Sequence, residues 1–350
     1  MATSYQRRRQ RVRDLRTGIQ LLCLGVVIAT GIRFALWVHG LEQGRLLGER
    51  PPGVEGFLPI SALMSLRAWL LSGIPSRVHA AGLVLLVLIL AMSFLLRKAF
   101  CSWICPVGTV AEWLGNLGLR LARRRARLPR WLDVPLRGIK YLLAAFFVYA
   151  VLFRMAPDEL RQFLDSPYNK VADVKMLYFF MRPSPLTVQV LAGLVVLSVA
   201  VPFFWCRYLC PYGALLGVLS WLSPLKVTRV PCSCTDCGLC TRACPSLLPV
   251  ATSLRVGSPE CTGCLDCVAV CPAAGALDLA TPRPWRGVVR PVVFAALVAG
   301  LFYGGIGAAK MARFWRSSVP PEEMLRRVQE LDDPRYDHLR GRVPADRPGD

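Results

Sequence analysis

The sequence predicts an α-helical integral membrane protein with an inserted, cysteine-rich α+β module, and three observations predict it. Apolar residues fill 54% of the 350 positions, charged residues only 19%, and the mean hydropathy is +0.43. Soluble domains run at about 45–50% apolar and about 25% charged. The apolar surplus is gathered into five stretches, each near the roughly 20 residues that a helix needs to cross a hydrocarbon layer about 30 Å thick. Twelve of the fourteen cysteines fall into tight groups, two of CxxxC spacing and two of four cysteines each.

These features exclude several classes. A disordered chain lacks the apolar content seen here. A secreted disulfide scaffold is short and loop-rich, and this chain is neither. The net charge of +21 is mostly arginine placed beside the apolar runs, as membrane-flanking residues are, so no nucleic-acid partner is expected. The first apolar stretch is too long for a signal-peptide core and lacks a small-residue cleavage site; it reads as a retained anchor.

The predicted spans are Thr17–Val38, Val78–Leu96, Leu136–Phe153, Leu186–Trp205 and Val288–Ala309. Basic residues near span ends mark the cytoplasmic side. Arg7, Arg8, Arg9, Arg11, Arg13 and Arg16 precede span one, and Arg97, Lys98 and the Arg120-to-Arg130 cluster follow span two. Segments 1–16 and 97–135 are therefore expected in the cytoplasm, with loops Gly40–Arg77 and Arg154–Pro185 outside. Segment 226–285 then falls in the cytoplasm, and the tail 311–350 is expected on the periplasmic side.

Span two ends in Phe100-Cys101-Ser102-Trp103-Ile104-Cys105-Pro106-Val107-Gly108, and span four in Trp205-Cys206-Arg207-Tyr208-Leu209-Cys210-Pro211-Tyr212-Gly213. Both read aromatic-C-x-aromatic-aliphatic-C-P-x-G, so spans one-two and three-four look like two copies of one hairpin, a parallel repeat. On a helix, residues four apart share a face, and packing of the copies about a pseudo-twofold axis would bring Cys101, Cys105, Cys206 and Cys210 together. Four thiolates suit an iron–sulfur cluster, zinc or Cu(I). Two independent dithiols, or purely structural thiols, are the other readings of the same residues.

Between spans four and five, Cys234-Thr-Asp-Cys237-Gly-Leu-Cys240-Thr-Arg-Ala-Cys244-Pro245 is followed by Cys261-Thr-Gly-Cys264-Leu-Asp-Cys267-Val-Ala-Val-Cys271-Pro272. This is the bacterial C-x2-C-x2-C-x3-C-P spacing, present twice. Three close cysteines clamp one cubane, and the fourth ligates the other. The expected ligands are Cys234, Cys237, Cys240 and Cys271 for cluster one, and Cys261, Cys264, Cys267 and Cys244 for cluster two. Zinc prefers paired CxxC groups. The reading is thus an inserted α+β bacterial-type 2[4Fe-4S] ferredoxin domain. Cys232 and Cys23 stand outside these groups, Cys232 as a bystander and Cys23 as an apolar packer.

On the outer side, Arg33 and His39 lie toward the end of span one, His79 opens span two, and Glu55 sits in the loop between them. A quinol site needs a base for each departing proton and an apolar cleft for the ring, which makes Arg33, His39, Glu55 and His79 candidates. Interfacial snorkelling and ordinary packing are the plainer reading of the same residues.

Two CxxxCP motifs at span ends followed by a double-cubane module resemble the membrane polyferredoxins of the NapH, NosR and CcoG kind, over roughly residues 18–280. The resemblance implies a multi-pass protein of the bacterial inner membrane. It would pass electrons between the quinone pool or a cytoplasmic donor and a periplasmic or membrane redox partner, as a carrier or a quinol dehydrogenase subunit. A copper-handling assembly factor using the span-end cysteines, and a redox-sensing regulator, are the alternatives.

Overall fold

The structure is a computed structural model describing residues 4–46, 48–123, 128–281 and 287–336. Part of the Arg120-to-Arg130 cluster, the end of the 226–285 segment and the last residues of the tail lie outside the described residues.

In chain order the helices are α1 (Ser4–Glu42), α2 (Pro59–Ser72), α3 (Ala80–Leu95), α4 (Ala99–Trp103), α5 (Pro106–Ala122) and α6 (Arg130–Tyr149), which runs on as a π-turn over Ala150–Arg154. Then come α7 (Pro157–Leu164), α8 (Pro167–Lys170), α9 (Ala172–Met181), α10 (Pro185–Ala200), a π-turn at Trp205–Leu209, and α11 (Pro211–Trp221). The module holds β1 (Lys226–Arg229), α12 (Leu239–Ala243), α13 (Asp266–Ala269) and β2 (Leu277–Ala280), and α14 (Pro291–Met311) and α15 (Pro321–Gln329) follow. Many helices begin on proline, whose missing N–H is one that a first turn leaves unbonded anyway.

Among the described residues three helices are long and apolar enough to cross a membrane, namely Gln10–Glu42, Arg130–Arg154 and Pro291–Met311. Helices α9 and α10 qualify only as a pair bent by 76°. The five-span expectation is thus met for three, and the two even-numbered spans come out shorter. Helix α3 has 16 residues, about 24 Å at 1.5 Å per residue. The cause is local. Arg97 and Phe203 adopt left-handed φ values of 62° and 60°, and Pro202 disfavours helix in the residue before it. Both apolar helices therefore stop before their cysteines. Neither CxxxC pair lies on one continuous α-helix, which corrects the shared-face expectation. Cys101 is in α4 and Cys206 in the π-turn, while Cys105 and Cys210 are the N-caps of α5 and α11.

The chain divides into two compact units, Met1–Gly25 with Leu88–Ala144 and Leu191–Gly304, and Val26–Val87 with Ala145–Val190 and Gly305–Asp350. In the first, β1 and β2 pair antiparallel from Lys226↔Ala280 to Arg229↔Leu277. The pairing closes the module where it leaves and rejoins the helices, and Val227, Leu277 and Leu279 are buried beneath it. In the second unit, Phe34, Trp37, Val38 and Leu41 form one stripe of α1 at helical spacing. It packs with Val54, Val171, Val174, Met324, Val328 and Tyr336. The tail helix α15 is in this way built onto the end of α1.

Candidate functional site

The two four-cysteine runs wind their backbones alike. In the first, Asp236 and Gly238 have φ values of 51° and 68°; in the second, the same two positions are Gly263 and Leu265, at 63° and 62°. Left-handed residues on either side of the second cysteine curl the chain so that amides turn toward sulfur. The amide of Leu239 bonds the Cys237 thiol and is the first cause of its pKa lying below the ordinary value. Such hydrogen bonds are among the protein's controls over a cluster.

A small cavity of about 20 Å³ is lined by Cys244, Cys261, Cys264 and Cys267 together with Val227, Leu248, Val250 and Val256. These four cysteines are the set expected for cluster two, with the distant Cys244 crossing over from the first motif. Cys244, Cys264 and Cys267 are buried, and burial pushes the Cys264 and Cys267 thiols well above their ordinary value. Four soft donors brought to one cavity are the chemistry a cubane requires, since its iron takes thiolate in place of thiol. The cysteines expected for cluster one have other surroundings. Cys237 is exposed and Cys234, Cys240 and Cys271 are half-buried, while Arg229 bonds Cys234 and carries its charge to Cys240.

The span-end cysteines do converge. Burial pushes the Cys101 thiol up to about 11 and the Cys105 thiol up to about 12, and Cys210 is near enough to raise both further. Burial is also the main cause of the rise at Cys206, to which Cys210, Cys105 and Cys101 all add. Cys105 and Cys210 are the N-caps of α5 and α11. The Gly213 amide donates to Cys210 Sγ at 3.2 Å. At the matching Gly108 a Cβ would lie 2.1 Å from the Cys101 carbonyl oxygen, so only glycine lets α5 start this close to the CxxxC turn.

Cations surround the set. Lys98 and Lys140 are buried, and both oppose the rise at Cys101. Lys140 Nζ donates to Glu260 Oε2 at 2.6 Å, and the Tyr141 hydroxyl donates to Glu260 Oε1 at 2.8 Å. Burial raises the Glu260 carboxyl, but Lys98 and Lys140 outweigh it and hold the group below its ordinary value. Among the described residues, no three His, Cys, Asp or Glu side chains are close enough to hold a single metal ion.

The module is fastened to both CxxxC turns. Ser102 Oγ donates to the Thr262 carbonyl at 2.7 Å and Trp103 Nε1 to the Gly263 carbonyl at 3.1 Å. From the second turn, Arg207 Nη1 donates to the Ser246 carbonyl at 2.8 Å while its other nitrogens hold Asp133 at 3.0 Å. Thr262 and Ser246 line the cluster-two cavity. Sequence reading missed Lys140, Glu260 and Arg207 as parts of the site. An arginine inside a CxxxC turn and a lysine inside an apolar run were the available signals.

In the second unit, Glu55 and His79 both neighbour Arg50, and Arg33 and His39 lie elsewhere on the surface of α1. The buried stripe of α1 is Phe34, Trp37, Val38 and Leu41, and positions 33 and 39 fall off that stripe, where both side chains are exposed. His39 instead bonds Glu42 and Gln43. The buried group is centred on Arg50, which lies 3.7 Å from Glu55 Oε1, 3.1 Å from His79 Nδ1, and in contact with Asp173. His79 Nε2 donates to the Asn169 carbonyl at 2.6 Å. Arg50 and Asp173 were not foreseen, since nothing local marks two residues this far apart as partners.

A family model described as a 4Fe-4S binding domain matches residues 78–129 and again 184–229, and one described as a 4Fe-4S dicluster domain matches 226–272. YccM of Escherichia coli K12, named for electron transport, is 45% identical over 319 residues, covering 89% of each chain. The ferredoxin-type protein NapH of the same organism is 27% identical over 269 residues, 73% of this chain and 85% of its own. The methylamine utilization ferredoxin-type protein MauN of Methylorubrum extorquens is 29% identical over 250 residues, 69% and 77% of the two chains. No solved structure matches.

Proposed function

Because the chain belongs to the membrane-bound ferredoxin-type proteins typified by YccM and NapH, we propose that it is a three-cluster electron carrier of the bacterial inner membrane. Cluster one is held by Cys234, Cys237, Cys240 and Cys271, and cluster two by Cys261, Cys264, Cys267 and Cys244. A third [4Fe-4S] cluster is held by Cys101, Cys105, Cys206 and Cys210. The clusters supply one-electron transfer; the protein supplies their order. Cluster one, with Cys237 at the surface, is the port for a soluble cytoplasmic redox partner. Cluster two is the closed relay, and the span-end cluster passes electrons on to the quinone pool or a periplasmic redox protein.

The observation that carries this reading is the docking of both CxxxC turns onto loops lining the cluster-two cavity. Buried Lys98 and Lys140 support the third cluster, since an anionic cubane among buried cations needs less compensation from solvent. The repeated match of one 4Fe-4S family description to both hairpins favours the same conclusion. The test is metal analysis of protein purified anaerobically in detergent. About twelve irons are expected, four per cubane, with about eight left in Cys105→Ala/Cys210→Ala. About eight in the parent, with stoichiometric copper lost in that double variant, would return the span-end cysteines to the copper-handling reading.

A further inference from the structure

We infer that Arg16 is a positioning residue that holds up the reduction potential of cluster two and ties its loop to the first CxxxC turn. The inference rests on the cluster-two assignment above. Arg16 belongs by sequence to the basic run before span one, where a flanking charge would face water or lipid headgroups. Its side chain instead turns inward and is 5% exposed. Nη1 donates to the Cys264 carbonyl at 3.2 Å and to Asp266 Oδ1 at 2.9 Å, and Nη2 contacts Glu112. One turn further along α1, Gln20 Nε2 donates to the Ser102 carbonyl and to Glu112 Oε2, both at 2.9 Å. Two side chains on one face of α1 therefore hold a cluster-two ligand, the carboxylate beside a second ligand, and the residue after Cys101.

The electrostatic consequence has a definite sign. A cubane with four thiolates is anionic and takes on one more negative charge when reduced, so a fixed cation favours the reduced state. Arginine cannot lose its charge in a protein, and burial removes the solvent screening that would blunt it. Arg16 also offsets Asp266 and Glu112, two carboxylates that would otherwise press the potential down. At cluster one the corresponding pair is Arg229 with Asp236, and the Asp236 side chain is 75% exposed. Water screens that pair, so an equivalent change there should count for less.

The test is a redox titration of the full chain in detergent, followed by low-temperature EPR. Arg16→Gln is expected to lower the midpoint of cluster two and Asp266→Asn to raise it. Arg16→Lys, which keeps the charge and loses the fork, should stay near the parent, and cluster one should keep its midpoint throughout. A role confined to packing would not make the first two variants move in opposite directions. A parental midpoint in Arg16→Gln, or shifts of one sign in both variants, overturns the inference. If Arg16→Gln does not retain cluster two, Arg16→Lys and Asp266→Asn decide alone, and an Asp266→Asn midpoint that fails to rise overturns it. A parent protein without reducible clusters is a different outcome, because it defeats the assignment itself.

Discussion

Cys234-Thr-Asp-Cys237-Gly-Leu-Cys240 and Cys261-Thr-Gly-Cys264-Leu-Asp-Cys267 share a spacing and a backbone path, yet they meet different surroundings. The first leaves Cys237 at the surface; the second buries Cys264 and Cys267 beneath residues of the span ends. Ligand spacing decides what can bind, whereas exposure and nearby charge decide the potential at which it works. A carrier needs both environments. An open cluster can meet a mobile partner, and a closed one can hold an electron beside the membrane without losing it to solvent oxidants. Ser102 and Trp103 hold the second loop, and Arg207 holds Ser246 beside Cys244. The module shares one compact unit with the helix ends and is not a free-standing insert.

The largest expected effect breaks the comparison at its crossing point. Cys244 sits in the first motif but lines a cavity with Cys261, Cys264 and Cys267 of the second. Cys244→Ser should therefore remove the cluster-two EPR signal and spare cluster one, and Cys271→Ser should do the reverse. Each variant should lose about four irons, one cubane's worth. Loss of the same signal from Cys244→Ser as from Cys240→Ser would mean that each run serves its own cluster, and the contrast drawn here would fall.

A second, intermediate effect needs no mutation. Stripping iron from native protein with a chelator under nitrogen should bleach the clusters in two phases, with cluster one in the fast phase because Cys237 is open to solvent. In Cys271→Ser the fast phase should vanish and the slow one persist. A single phase in the parent would show that exposure of Cys237 does not control access.

Much of this was written in the chain in a form that local rules can read. The cysteine spacing pointed to Cys244, Cys261, Cys264 and Cys267 as one set, and these four line one cavity; the repeated C-P-x-G marked the helix starts at Pro106 and Pro211. The lengths of the even spans were not legible, because Arg97 and Phe203 are residue types that do not mark a left-handed conformation. Arg16, Lys140 and Arg207 carry the same charge whether they flank a membrane or line a site, and only the fold distinguishes the two. The outer candidates divided for a related reason. Glu55 and His79 both reach the buried Arg50, but Arg33 and His39 lie on helix positions that the apolar stripe of α1 leaves outside.

The smallest effect sharpens the comparison at the level of the backbone. The two loops place left-handed residues at matching positions but give the glycine to opposite members, Gly238 in the first and Gly263 in the second. If the loops are conformationally equivalent, substitutions should be governed by φ and not by sequence context. A Cβ at Gly263 would meet Phe294 at 3.5 Å, an ordinary contact, so Gly263→Ala should cost only the left-handed strain of an alanine, about 1 kcal/mol. At the matching first-loop position Asp236 already bears a Cβ, and Asp236→Gly relieves that strain. It also gives up an exposed ion pair with Arg229 and frees the unfolded chain. These terms oppose one another, and the net change should stay within about 0.5 kcal/mol of zero. Thermal denaturation followed by loss of cluster absorbance would measure both. An Asp236→Gly variant less stable than Gly263→Ala would show that the first loop depends on its aspartate for more than conformation, and that the two cubane loops are alike in spacing alone.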